Sequence, residues 1–341
     1  MKILLVYAGL SPGGITADLR NLEHGLHSHG VEVAVAGSLG EVRRYTRGRD
    51  ALVHVFSCLP SATTFGAMAL AKSRHLPLVW TPVFHPSRPG SWAGYGPLRI
   101  MEVFDRIAPR AARLADGVIA ATEAEAELFR RIGARHTETI APAVEKTTAW
   151  LAERERARAR ADFGLRDEPT VLLVARPDNS RRKGLPFARA AFRALRSRLP
   201  DSRLLLLGHQ PGDDLALETG ALAAGWCGPE RVAQAYGAAD VLMVCSIYEG
   251  LPRAVVEAWS HELPVAVTDR VALAPLVRGR AGAVVPFGDV PGMAGALETI
   301  LTDGRLARQY GAAGRALVED RFLLADHVRR TIALYSTVGG L

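Results

Sequence analysis

The chain has 341 residues, 48% hydrophobic and 23% charged, which excludes global disorder and, at roughly 100–200 residues per domain, predicts two domains. Of its 42 basic residues against 35 acidic, 38 are arginine and only four lysine (Lys2, Lys72, Lys146, Lys183), so the net +7 reads as arginine-rich composition. Aromatics make up 6% and no basic block is interleaved with them, so nucleic acid is not an expected partner.

Short apolar runs then alternate with helical stretches. Ile3 to Tyr7, Val31 to Ala36, Leu52 to Phe56, Leu78 to Thr81 and Val118 to Ala121 predict strands. Their near-continuous Val, Leu and Ile content suits a parallel sheet covered on both faces. Helical segments fall between them, at Thr16 to His29, Ser61 to Ser73, Leu98 to Leu114 and Glu123 to Ile132. That βαβ succession predicts a doubly wound domain. The first strand follows Met1 directly, without the basic start and apolar stretch of a signal peptide. Its loop, Gly9 to Gly14, contains Gly13 and Gly14, which would let a phosphate approach amides at a helix start. The spacing is neither G-x-G-x-x-G nor a Walker loop, and a tight turn explains it equally well. His24, His27 and His29 predict solvated histidines, since no carboxylate completes a metal site. His54 and His209, at strand ends, predict structural histidines with satisfied nitrogens. The three cysteines form no C-x-x-C pair, which predicts free thiols in a cytoplasmic protein.

From Pro142 to Pro169 no strand is expected, and Leu151 to Asp162 predicts a solvated charged helix joining two domains. A second alternating series follows. Strands are expected at Val171 to Ala175, Arg203 to Leu207, Ala239 to Cys245, Leu263 to Val267 and Ala283 to Val285. Helices are expected at Leu185 to Arg198, Glu230 to Ala238, Pro252 to His261, Val290 to Thr302 and Ala307 to Glu319, with a last one at Leu323 to Tyr335. The expected architecture is α/β, two Rossmann-like doubly wound domains facing a cleft. No apolar run reaches the ~20 residues of a membrane span.

Two segments of the second half carry chemistry. Arg176 follows a strand, and Lys183 and Gly184 close the polar loop after it, where doubly wound sheets bind ligands. An arginine fork and a lysine point charge could neutralise a diphosphate; a solvated basic loop is the plainer alternative. Further on, Ser246 to Glu257 reads S-I-Y-E-G-L-P-R-A-V-V-E. Pro252 suits a first helical position, which would point the amides of Gly250 and Leu251 at a ligand beside Glu249. Glu257 lies a turn and a half into that helix, where paired acceptors could grip sugar or ribose hydroxyls. The alternatives are that Glu249 caps the helix and Glu257 is a surface charge, though its neighbours Val255, Val256, Ala258 and Trp259 are apolar.

E-G-L-P-R-A-V-V-E-A-W resembles the E-x-x-x-x-x-x-x-E pattern of retaining glycosyltransferases, and its surroundings resemble glycosyltransferase family 4. The likeness extends to A-A-D-V-L-M-V-C-S-I-Y-E-G-L-P, E-L-P-V-A-V-T-D, the early glycine pair, Thr81 to Pro86 (T-P-V-F-H-P) and Leu114 to Glu125. The resemblance implies a GT-B fold: residues 1–150 on the acceptor side, 151–169 a linker, 170–322 binding the nucleotide sugar, and 323–341 a helix crossing back to the first domain. It implies a UDP- or GDP-sugar donor, no cofactor and no bound metal. Arg176 and Lys183 would then hold the donor phosphates, Glu257 the ribose hydroxyls and Glu249 the transferred sugar. Gly250 and Leu251 would offer amides to sugar and phosphate, Gly13 and Gly14 would approach the diphosphate, and His85 would lie near the transferred sugar.

The chain departs from the family where Pro142 to Glu145 replace P-N-G-V-D, where Ala175 and Cys245 replace glycine and proline, and where Glu262 stands at a usual glycine. The acceptor is expected to be a small molecule, a glycan or lipid-linked. Residues 1–165 carry 21 basic and 16 acidic side chains, a surplus suited to peripheral contact with an anionic membrane. Rival readings are a GT-B epimerase or phosphorylase, or a silent nucleotide-sugar-binding homologue.

Overall fold

The computed structural model of the chain describes residues 2–7, 14–48, 50–57, 61–82, 99–145, 153–176 and 182–339, and for residues 14, 15, 99–105 and 153 the backbone alone. Gly13, Cys58 and His85 lie outside the described residues. The chain divides into two compact units, residues 1–145 with 322–341, and residues 146–321.

In the first unit the strands are β1 (Lys2–Tyr7), β2 (Val33–Ala36), β3 (Ala51–Ser57), β4 (Leu78–Pro82), β5 (Gly117–Ala120) and β6 (Thr137–Thr139). The helices are α1 (Gly14–Ser28), α2 (Leu39–Tyr45), α3 (Ala62–Ser73), α4 (Arg99–Leu114) and α5 (Glu123–Arg131). The sheet is parallel, in the order β2-β1-β3-β4-β5-β6. Alternate residues of each central strand face opposite sides. Leu4, Val6, Val53, Val55 and Trp80 pack with Ala67, Met68, Ala112 and Phe129, while Ile3, Leu5, Leu52, Val79 and Ile119 pack with Leu22 and Leu26. Burial on both faces is why the strands read as unbroken apolar runs.

Two elements of this unit escaped the periodicity. β6 is only T-E-T, an edge strand without an apolar run. α2 starts on a capping box that the sequence does display. Ser38 Oγ accepts from the Glu41 amide at 3.3 Å, and the Glu41 carboxylate accepts from the Ser38 amide at 3.0 Å.

The second unit contains α6 (Glu153–Asp162), β7 (Thr170–Val174), α7 (Leu185–Arg196), β8 (Arg203–Leu207), β9 (Ala221–Ala223), α8 (Pro229–Ala238) and β10 (Val241–Val244). It continues through α9 (Arg253–Ser260), β11 (Val265–Thr268), α10 (Ala274–Val277), β12 (Gly282–Val285), α11 (Val290–Thr302) and α12 (Gly304–Arg321). Its sheet is again parallel and six-stranded, in the order β12-β11-β10-β7-β8-β9. The chain ends with α13 (Leu324–Gly339), which belongs to the first unit and packs on α1, β4 and β5. There Tyr335 Oη lies 2.6 Å from His54 Nδ1, and His54 Nε2 lies 2.7 Å from Thr81 Oγ1, so His54 is satisfied on both sides inside β3. Burial, with the nearby His327 charge, holds the His54 imidazole down at about 3.

The charged helix α6 is not the free link that its composition suggests. It packs on α8 in the second unit, and Arg160 is buried. Arg160 donates at 2.6 Å to the carbonyls of Arg166, Ala238 and Glu168, and Arg156 reaches Asp240 at 2.6 Å. Arginine stems and forks can dock a helix with almost no apolar face, which a reading of hydrophobic periodicity does not register.

Two motif residues are structural in the same way. Asp240, before β10, accepts the Thr170 amide of β7 at 2.8 Å, and Asp116, before β5, accepts the Leu78 amide of β4 at 2.9 Å. Each aspartate satisfies the first amide of the neighbouring strand. Glu262, at the position of a family glycine, has φ 54 just beyond α9, which is the left-handed conformation that favours glycine.

Candidate active site

The second sheet reverses its winding direction at β7, which has β8 on one side and β10 on the other. A doubly wound sheet opens a crevice at such a switch point, beyond the carboxyl ends of the strands. The loops that follow β7 and β10 are tied to each other there. The Ile247 amide donates to the Arg182 carbonyl at 2.9 Å. Gly184 has φ 66, and a Cβ on it would come within 1.9 Å of the Cys245 carbonyl oxygen. Only glycine allows this approach, so the glycine after Lys183 is what brings the lysine against the Ser246–Glu249 loop.

Lys183 and Glu249, assigned by the sequence to different parts of a ligand, meet in an ion pair. Lys183 Nζ donates to both Glu249 oxygens, at 2.7 and 3.0 Å, with both side chains largely buried. Ser246 Oγ donates to Glu249 at 2.7 Å, and Arg182 lies 3.5 Å away. Burial alone would favour the neutral acid. The Lys183 and Arg182 charges and the Lys183 and Ser246 hydrogen bonds outweigh it, holding the Glu249 carboxyl at about 2. Glu249 is therefore ionised and committed to cations, and the alternative that it caps α9 fails. The N-cap position is Pro252 itself, so α9 starts one residue later than expected, and no side chain caps it.

Among the described residues no hydrogen bond takes the amides of Gly250 or Leu251. They stand just before the helix start, beside the ion pair, as donors available to an anion. Glu257, one turn beyond the Arg253 that opens α9, is no surface charge either. Tyr236 Oη donates to its Oε2 at 2.8 Å and Arg253 Nε to its Oε1 at 2.6 Å. Burial, then the Glu257 carboxylate, raises Tyr236 well above the usual phenol range.

Arg176 stands two residues past β7, and its Cγ would lie 3.3 Å from a Cβ on Gly208, at the end of β8. The adjacent His209 differs from expectation. It is buried, its ring nitrogens make no hydrogen bond, and Asp213 lies 3.3 Å away without bonding geometry. Burial lowers its basicity, only partly offset by Asp213.

The residues missed by sequence reading are Arg182, Ser246, Tyr236 and Arg253. Arg182 and Ser246 were visible as neighbours of Lys183 and Glu249, and Arg253 stands four residues before Glu257 on one helix face. Tyr236 lies 21 residues upstream of Glu257, and no local signal links them. In the first unit, Gly14 is the first residue of α1. Among the described residues, no group of three or more His, Cys, Asp or Glu side chains could hold a metal ion.

The Glycosyl transferases group 1 family matches residues 168–303, and the Glycosyl transferase 4-like domain matches residues 36–143. The chain belongs to the family 4 glycosyltransferases. It is 26% identical over 307 residues to a sulfoquinovosyl transferase of Arabidopsis thaliana, covering 85% of this chain and 57% of the relative. It is 33% identical over 184 residues to a phosphatidyl-myo-inositol mannosyltransferase of Mycolicibacterium smegmatis, covering 51% of this chain and 47% of the relative. The chain thus spans about half the length of these curated relatives. Among solved structures it is similar to Anabaena HepE in complex with UDP and glucose, with a TM-score of 0.76, 20% identity and 99% and 100% of the two chains covered. That likeness shows the GT-B fold.

Proposed function

We propose that the chain transfers a sugar from a nucleotide-diphospho-sugar donor, with retention of anomeric configuration and without a metal ion. The carrying observation is the buried Lys183–Glu249 ion pair at the switch point, beside the unused amides of Gly250 and Leu251. When the bond from the sugar to the diphosphate breaks, its electron pair stays on the leaving phosphate oxygen. Lys183, Arg182 and Arg176, with the two amides, supply positive potential there before the reaction starts. Pairing with Glu249 holds Lys183 in place, so little reorganisation is needed when a donor arrives. Glu249 would contact the transferred sugar and Glu257 the ribose, with Gly208 to Gln210 bordering the base. Gly13, Gly14 and His85 keep the roles that family membership suggests, beside the diphosphate and the sugar.

The donor is UDP- or GDP-linked. The relative named for phosphatidyl-myo-inositol makes lipid-linked acceptors the first class to assay, ahead of glycans and small molecules. A surplus of basic side chains in residues 1–165 supports peripheral contact with anionic membranes. The test is a thermal-shift panel of nucleotides and nucleotide sugars, followed by donor hydrolysis. A donor at 100 times its Kd should stabilise the chain by about 2.7 kcal/mol. Lys183→Ala should lower turnover roughly 10²–10³-fold. No shift from any nucleotide, or near-wild-type turnover in Lys183→Ala, would sink the assignment. Binding without hydrolysis above background would identify a silent homologue, and an isomerised sugar an epimerase.

A further inference from the structure

We infer that Tyr236 is a positioning residue that aims the Glu257 carboxylate at the hydroxyls of the nucleotide ribose, with Arg253 holding its other oxygen. The inference rests on the reading of Glu257 as the ribose ligand and adds how this chain orients it. Glu257 lies on the second turn of α9, with its side chain 24% exposed. A glutamate so placed has three rotatable bonds, and unrestrained it would sample several rotamers. Two side chains from different directions remove that freedom. Tyr236, from α8, is fully buried and donates to Oε2 at 2.8 Å, while Arg253, one turn earlier on α9, donates to Oε1 at 2.6 Å.

The remaining contacts lock the tyrosine and the helix behind it. His261 stacks on the Tyr236 ring with centroids 5.4 Å apart, and its Nδ1 lies 2.9 Å from the Glu257 carbonyl. Ser260 Oγ donates to the same carbonyl at 2.7 Å. A carboxylate offers about four acceptor sites, so one donor on each oxygen leaves each oxygen a second site. Two free acceptors on a carboxylate of fixed orientation match the two neighbouring hydroxyls of a ribose. Tyr236 supplies this orientation through a hydroxyl that no ligand needs to touch.

The experiment measures affinities of UDP, GDP and their 2′-deoxy counterparts for the wild-type chain, Tyr236→Phe and Glu257→Gln, by calorimetry. Tyr236→Phe keeps the buried ring and removes only the donor. The wild type should prefer the ribonucleotide of its preferred base, and Tyr236→Phe should lose roughly tenfold of that preference, with a smaller loss for the deoxynucleotide, which keeps only the 3′-hydroxyl for Glu257. Arg253→Gln provides a second test of the same loss, on the donor to the other Glu257 oxygen. Full retention of the preference in Tyr236→Phe would overturn the inference. So would an equal loss for ribo- and deoxynucleotides, which is the signature of a merely structural tyrosine. A wild type that binds nucleotide but ignores the 2′-hydroxyl, as Glu257→Gln would then also do, refutes the ribose reading of Glu257 itself. If neither nucleotide binds the wild type, the nucleotide reading fails first. These outcomes separate failure of the positioning role from failure of the function on which it rests.

Discussion

Glu249→Gln removes a charge at the centre of the site with almost no change in shape. In the folded chain this carboxyl is held at about 2, against an ordinary 4.5. At about 1.4 kcal/mol per pH unit, the difference corresponds to ~3 kcal/mol of stability at neutral pH. The sign follows from which state takes up the proton. As pH falls, the unfolded chain protonates Glu249 near 4.5, while the folded chain resists until about 2. The contribution is therefore complete well above pH 4.5 and is lost as pH falls toward 2. At about pH 3.5, roughly 1.4 kcal/mol of it should be gone. Glutamine does not titrate, so the stability gap between wild type and variant should narrow by that amount between about pH 7 and pH 3.5. Urea unfolding followed by tryptophan fluorescence measures it, with buried Trp259 reporting on the second unit. A gap that stays constant across this range would refute the claim that Lys183, Arg182 and Ser246 stabilise the ionised form.

Two other substitutions probe the scaffold. Gly184→Ala places a methyl 1.9 Å from the Cys245 carbonyl at φ 66, so the Lys183 loop must shift. We expect a stability loss of ~2 kcal/mol or more and at least a tenfold drop in turnover, and wild-type values for both would refute the role given to this glycine. His54→Leu strands the buried hydroxyl of Tyr335 and the partly buried one of Thr81 and should cost about 2–4 kcal/mol by chemical denaturation. It should also flatten the acid response. The unfolded histidine binds a proton below 6.5, which the folded one refuses until about 3, so the wild type loses up to about 1.4 kcal/mol per pH unit in that interval. Parallel acid profiles for the two proteins would exclude His54 as the source.

Much of this protein is legible from local pattern. Strands buried on both faces must be apolar throughout, so the central strands announced themselves, and their alternation with helices dictated two doubly wound halves. Glu249, Glu257, Lys183 and Arg176 stood out because a ligand site at strand ends needs charged groups in otherwise apolar or glycine-bearing surroundings. The edge strands β6 and β9 did not, since three residues, none of them buried, leave no periodicity to read. The docking of α6 was hidden for a related reason, because arginines make its contacts and arginine also marks a solvated face.

What the sequence by itself determined was the architecture and the candidate charges, because burial, helix starts and tight turns each leave a local chemical signature. What only the tertiary structure decided was which charges pair and which side chains aim them. Lys183 meets Glu249 across 66 positions, Tyr236 meets Glu257 across 21, and His54 meets Tyr335 across 281. Electrostatic and hydrogen-bond energies depend on distances of a few ångströms, and separation along the chain carries no information about those distances until the backbone has folded.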